Sequence, residues 1–384
     1  MLRTQGAAIV DAGGHAFLPR GVNLGGWFVM EPFMSPMDAS HRLRDSFSVM
    51  RVLQDRFGRQ EQRRLMASYQ RAWISDDDIA AIADAGFNIV RIPLWWGQFL
   101  DLDDPSPSGW RSDAFEILDR IVESCGRRGV RVVFDMHGAI GGQSDNPDTG
   151  QAGMNRFWSD PAAQSKTAWL WSRIAAHYRG NPAIAGYDLL NEPAPPPGIP
   201  ARQAVLAVYD RFYRSVRAAD PDHIVFIEDT FGSWSLDMLP DPRSRGWTDV
   251  VYEDHVYPWP RNRGDHSPSE YAGVLAQRVV ADMSRHAAWD VPVYVGEFNA
   301  LSTDPGPWRA MVDRFQGAGL GWSVWSWKSV NGAPLNFWGF LDPRRWPARP
   351  DPRTDDASTI ARDWAGWTTA AAFTRNPAMM IGDR

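Results

Sequence analysis

Tyr187-Asp188-Leu189-Leu190-Asn191-Glu192-Pro193 is the stretch on which the reading of the fold turns. An apolar run from Ile184 to Leu190 ends in an amide and a carboxylate. Pro193 then removes a backbone donor and fixes φ, which stops a strand or a helix. Asn191 and Glu192 are thereby placed at a strand's carboxyl end. Further along, Val293-Tyr294-Val295-Gly296-Glu297-Phe298-Asn299 repeats the arrangement, so two strand-end glutamates are available as an acid and a base.

Outward from these two runs the same unit recurs. Apolar strands are expected at Arg20 to Gly26, Phe87 to Trp96, Val130 to Met136, Ile184 to Leu190, His223 to Ile227, Val250 to His255, Val291 to Glu297 and Gly321 to Trp327. Helical spacing fills most of the intervals. One helix opens at Ser75, with Asp76, Asp77 and Asp78 in its first turn as cap and dipole partners, and ends at Gly86. Others are read over Asp113 to Arg128, Asp160 to Tyr178, Ala201 to Ala219, Ser267 to Ala287 and Pro307 to Gly317. Ser46 to Tyr69 reads as an inserted helix pair after strand one, and Ile9 to Phe17 as a hairpin closed by Gly13-Gly14 that lids a barrel's bottom. Eight such strands predict an α/β fold of the (β/α)8 TIM-barrel type. An open doubly wound sheet would carry a G-x-G-x-x-G turn after strand one, and Arg20 to Trp27 lacks that spacing. Pro195-Pro196-Pro197-Gly198 is too short for an interdomain linker. The expectation is one catalytic domain over residues 1–384: a hairpin in 1–19, the barrel in 20–342, and a terminal loop and helix in 343–384.

Composition narrows the partners. The net charge is −6 and lysine occurs only at Lys166 and Lys328, which speaks against a phosphate-binding surface and hence nucleic acid. Cys125 stands alone, excluding an intrachain disulfide or a cysteine metal cluster. No run approaches the ~18 apolar residues of a membrane span. Gly6 to Val10 is shorter than the roughly 7–15 residues of a signal-peptide core. The chain as it stands reads as a cytoplasmic monomer that needs no membrane, or as a secreted one if a signal has been trimmed. Of its 20 tryptophans, Trp27, Trp95, Trp96, Trp259, Trp325 and Trp327 lie beside expected strand ends, where a broad ring suits the apolar face of a sugar.

In a closed barrel the strand ends converge on one cavity. Here that gathers Arg91, His137, Asn191, Glu192, His255, Tyr257, Glu297 and Trp327. Glycosidic bond cleavage needs an acid for the departing oxygen and a carboxylate on the other face of the sugar, roles open to Glu192 and Glu297. Carboxyls ~5–5.5 Å apart give direct attack and retention, and ~6.5–9.5 Å admits a water and inverts. The two must hold different protonation states, and Arg91 is the cation to keep one ionised; we assign that partner to Glu297, with Tyr257 as a donor to the same carboxylate. Asn191 would bind a sugar hydroxyl, and His137 and His255 would hold others or orient the carboxyls. Glu228, Asp229 and Glu253 also sit near strand ends, leaving other carboxylate pairings open. Two rivals remain: a metal-dependent sugar isomerase using Asp135, His137, Glu192, His255 and Glu297, and a carbohydrate-binding protein without catalysis.

The chain resembles glycoside hydrolase family 5, the retaining two-glutamate barrels that include cellulases. The resemblance runs in order through Arg20-Gly21-Val22-Asn23-Leu24-Gly25-Gly26-Trp27, Gly86-Phe87-Asn88-Ile89-Val90-Arg91-Ile92-Pro93, Asp135-Met136-His137-Gly138, Leu190-Asn191-Glu192-Pro193, His255-Val256-Tyr257, Gly296-Glu297-Phe298 and Trp325-Ser326-Trp327-Lys328. It implies Glu192 as acid/base and Glu297 as nucleophile, with Arg91, His137, Asn191, His255 and Tyr257 lining the sugar subsite beside the cleaved bond, and no cofactor or metal. Trp325 or Trp327 is the expected sugar platform, and Trp327, nearer the exit, is preferred.

Gly25 to Pro32 and Trp325 to Ser329 are most similar to the exo-β-1,3-glucanase branch. That likeness implies Glu31 as a ligand of the terminal glucose and Asp148 as a sugar ligand. The branch clamps the next sugar between two phenylalanines, but Asn146 and Pro260 stand at the matching positions, with Trp259 as a substitute for one. The implied substrate is a β-glucan, a β-linked glucooligosaccharide or a glucoside, with endo-β-1,4-glucanase action as the alternative within the family.

Overall fold

The protein is described from a computed structural model, which covers residues 1–38, 43–232, 235–332 and 334–379. Eight parallel strands close into a barrel: β1 (Arg20–Asn23), β2 (Ile89–Trp95), β3 (Arg131–Gly138), β4 (Ile184–Asp188), β5 (Ile224–Glu228), β6 (Val250–Val256), β7 (Val293–Phe298) and β8 (Gly321–Val324). β8 pairs back onto β1 through Ser323↔Gly21. Strands β2 and β4 to β8 are buried along their whole length, because helices cover the outside and side chains fill the inside. The expected (β/α)8 barrel is therefore the observed fold.

The outer layer comprises α1 (Ser46–Trp73), α2 (Asp76–Asp84), α3 (Glu116–Arg127), α4 (Pro161–Tyr178), α5 (Ala201–Ala219), α6 (Pro268–Arg285), α7 (Pro305–Gly317) and α8 (Ala357–Ala365). The inserted helix pair is two segments joined end to end: α1 runs for 28 residues and is interrupted at Gly58, whose φ of +80° suits a residue without Cβ. Ser75 caps α2 in a reciprocal box with Asp78, as its sequence suggested. Between β5 and β6 the described residues hold a loop with the short 3-10 turn Pro242–Arg245.

The bottom lid differs from expectation. Its ladder pairs Arg3–Gln5 with Ala8–Val10, and the Gly13-Gly14 turn closes only a single bridge, Val10↔Ala16. Leu2 and Ile9 from this lid pack against Ile89, Val133, Ile224, Phe226, Val251 and Tyr294. Period-two alternation carries the inward face upward from this apolar layer to a charged one: Ile89 to Arg91 in β2, Val133 to Asp135 and His137 in β3, Val251 to Glu253 and His255 in β6. Greasy residues thus fill the lower barrel, and the ionisable ones collect at the strands' carboxyl ends. A terminal strand pair, Leu341–Pro343 with Phe373–Arg375, was not foreseen.

Candidate active site

Arg91 is fully buried in the upper barrel and meets four carboxylates: Asp135 at 3.1 Å, Asp188 at 2.7 Å, Glu253 at 3.1 Å and Glu297 at 2.7 Å. One guanidinium cannot balance four negative charges in a dry interior. Burial drives the Asp135 and Asp188 carboxyls well above the usual range. Burial would raise Glu297 too, but His255, Arg91 and the Tyr257 hydroxyl outweigh it and hold this carboxyl below its ordinary value. Tyr257 donates to Glu297 Oε2 at 2.7 Å while Arg91 donates to Oε1, so both oxygens are held. Gly296 leaves room for the Glu253 carboxyl, because a Cβ there would fall 1.5 Å from Glu253 Oε1. The β6–β7 ladder slips between Asp254↔Val295 and His255↔Glu297, which sets His255 opposite Glu297.

Glu192 is positioned differently. It follows β4 in left-handed backbone, φ +42°, a conformation costly for a residue with a Cβ. The Glu228 carboxyl at the end of β5 accepts the Glu192 backbone N–H at 2.7 Å, and the Pro193 carbonyl accepts from Phe231 N–H at 3.1 Å. These contacts from β5 and its loop hold the strained turn. The side chain of Glu192 meets His255 Nδ1 at 2.9 Å, and the same nitrogen lies 3.3 Å from Glu228 and 3.6 Å from Glu297. Burial alone would lower the His255 pKa, yet Glu228 and Glu297 carry it well above its ordinary value, so the ring is a cation between carboxyls. One oxygen of Glu192, one ring nitrogen of His255 and one oxygen of Glu297 lie within 4.8 Å of one another.

Around this pair opens a cavity of about 740 Å³, within the range of small-molecule sites. Its lining includes Glu31, His137, Asp148 and Trp325. Glu31 and Asp148 each have a buried oxygen without a partner, a place for an incoming hydroxyl. Burial, with Glu192 nearby, pushes the Asp148 carboxyl up to about 7, and burial likewise raises Glu31. Burial drops His137 to about 4, leaving a neutral imidazole whose Nδ1 meets Asp135 at 2.5 Å. Its ring stacks on Trp325 at 5.5 Å and 12°. Asn191 accepts from Arg91 through Oδ1 at 3.0 Å, which fixes the amide with its NH2 as the remaining donor.

A model of the cellulase family, glycosyl hydrolase family 5, matches residues 57–331. The chain belongs to glycosyl hydrolase family 5. It is 29% identical over 356 residues to a β-xylosidase of Phanerodontia chrysosporium, spanning 86% of this chain and 71% of that protein. It is 30% identical over 308 residues to a glucan 1,3-beta-glucosidase of Yarrowia lipolytica, covering 75% and 68% respectively. The rutinosidase structure from Aspergillus niger superposes with a TM-score of 0.69 at 17% identity, covering 91% of this chain and 98% of that one, which bears on the fold alone.

In this family 5 glycoside hydrolase the expected platform needs correction. Trp327 does not line the cavity: it is buried against Phe340, at 5.5 Å, and its indole N–H donates to Asp78 in α2 at 2.9 Å. β8 stops at Val324, so the alternation that would give Trp325 and Trp327 one face no longer applies, and Trp325 is the ring that faces the cavity. Trp259 lines the cavity as well, whereas Trp27, Trp95 and Trp96 are core residues. Sequence reading missed Phe33, Phe231 and Trp338, which also line the cavity. They come from loops, where no periodicity marks them. It also missed the part of Glu228, which it weighs only as a member of an alternative carboxylate pair.

Of the five residues expected as metal ligands, Asp135 Oδ2 and Glu297 Oε1 are already paired with Arg91, while Glu192, His255 and Glu297 present ligand atoms within 4.8 Å of one another.

Proposed function

We propose that this glycoside hydrolase is a retaining, exo-acting β-glucosidase working by double displacement. The observation that carries the reading is the pair itself: one oxygen of Glu192 and one of Glu297 lie within 4.8 Å of each other, which favours the ~5–5.5 Å carboxyl spacing of direct attack over the ~6.5–9.5 Å spacing that admits a water. Their different partners support the division of labour. Glu297, ionised and held at both oxygens, attacks the anomeric carbon. The bond to the leaving oxygen breaks with its electron pair as Glu192 delivers a proton to that oxygen. In the second step Glu192 takes a proton from water, the water oxygen bonds to the anomeric carbon, and Glu297 leaves as a carboxylate.

Trp325 serves as the platform beneath the sugar, and the Asn191 NH2 group as the donor to a ring hydroxyl. Glu31 and Asp148 take hydroxyls of the terminal glucose and wall off one end, which favours removal of single end residues over endo cleavage. Curated relatives named glucan 1,3-beta-glucosidase support glucose as the recognised sugar. The test is proton NMR of 4-nitrophenyl β-glucoside hydrolysis. β-Glucose is expected as the first product. α-Glucose appearing first would overturn retention, and no hydrolysis would overturn the glucosidase reading.

A further inference from the structure

Part of the cavity's lining is aromatic and apolar. Phe33 and Phe231 belong to it while remaining 49% and 53% exposed, a placement that leaves apolar surface in water unless a ligand covers it. Trp338 stands between Phe33, at 5.7 Å and 71°, and Trp259, at 6.2 Å and 52°. Tyr257 meets Trp338 at 6.3 Å and 46°. Rings tilted against one another in this way form a concave cup. A pyranose stacks on a flat face and carries hydroxyls around its edge that need polar partners, and phenylalanine offers none. The positions at which paired phenylalanines would clamp a second sugar hold Asn146 and Pro260.

We infer that this cup is an aglycone site for a fused aromatic or similarly flat apolar ring system, making the natural substrate a β-glucoside of such a ring rather than a glucan chain. The inference rests on the retaining β-glucosidase reading above and names the group that the reaction releases. Glu192 lines the same cavity as these rings, and in this assignment it protonates the oxygen joining the sugar to a ring seated there.

The test compares kcat/KM of the whole chain on β-glucosyl fluoride, phenyl β-glucoside, 2-naphthyl β-glucoside, laminaribiose and cellobiose. Phenol and 2-naphthol are leaving groups of similar acidity, so their ratio reads the second ring. A naphthyl-to-phenyl ratio of at least ~10, carried by KM, is expected from the added apolar burial. Both aryl glucosides should exceed both disaccharides. Trp338→Ala and Phe33→Ala should each pull the ratio toward one. Hydrolysis of glucosyl fluoride with a ratio near one, or with a disaccharide preferred, would overturn the aglycone assignment and leave the glucosidase reading standing. No hydrolysis of any of the five would overturn both.

Discussion

Glu297 is part of β7 itself, with regular strand backbone around it and each carboxylate oxygen held, one by Arg91 and the other by Tyr257. Glu192 lies past the end of β4 at Asp188, in left-handed backbone, held from behind by Glu228 and touched in front by His255. The difference follows the two tasks. A nucleophile benefits from being charged and fixed before the sugar arrives, since no reorganisation is then needed during attack. An acid/base has to pass its proton to a leaving group and recover one from water, so it faces the open cavity.

Substitutions at four positions would break or sharpen that contrast. Glu297→Ala should cost the most, with kcat/KM on an aryl β-glucoside falling by at least ~10⁴-fold, because it removes the group assigned to form the covalent intermediate. Steady-state assays that leave more than a few per cent of activity would contradict the assignment. Glu192→Ala should cost ~10²–10⁴-fold on a substrate whose leaving group needs a proton and much less on β-glucosyl fluoride, whose leaving group needs none. Equal losses on the two substrates would remove Glu192 from the acid role.

Glu228→Leu strips the acceptor from the strained Glu192 backbone, and loss of a buried bond of this kind is worth about 1–3 kcal/mol, or ~10–100-fold if it falls on geometry at the transition state. Glu228→Gln keeps an acceptor and should recover most of the rate. If the two variants behave alike, the backbone contact is not what matters.

Tyr257→Phe should have the smallest effect on the plateau, about tenfold, with a clear signature in pH. The Glu297 carboxyl sits below its ordinary value, so it is ionised above that pKa and loses nucleophilic character as pH falls through it. Removing one of the groups that depress it moves the acid limb of kcat/KM upward. A pH profile with the limb unmoved, or moved down, would refute the contribution of Tyr257.

Much of this was legible because a parallel barrel strand has a plain signature. Val250–Val256 and Val293–Phe298 are buried throughout, so they read as short apolar runs, and a charged residue at their upper end stands out. Ala201–Ala219 was legible to the residue, from helical spacing after a proline-rich loop. Legibility failed where the chain leaves regular structure. Trp325 and Trp327 were assigned one face by an alternation that had already ended at Val324. Phe33, Phe231 and Trp338 owe their positions to loop paths, and nothing in their neighbours' spacing records where a loop passes. Gly58 sits inside a long helical pattern, and only its φ discloses the interruption.

The central claim is a covalent bond between sugar and Glu297, formed across the cavity from Glu192. Incubation with 2-deoxy-2-fluoro-β-glucosyl fluoride, followed by peptide mapping by mass spectrometry, tests it most directly. The expected result is stoichiometric inactivation with one fluoroglucosyl group on the peptide containing Glu297, and none in the Glu297→Ala variant. A label on another residue, or turnover without any trapped adduct, would contradict it.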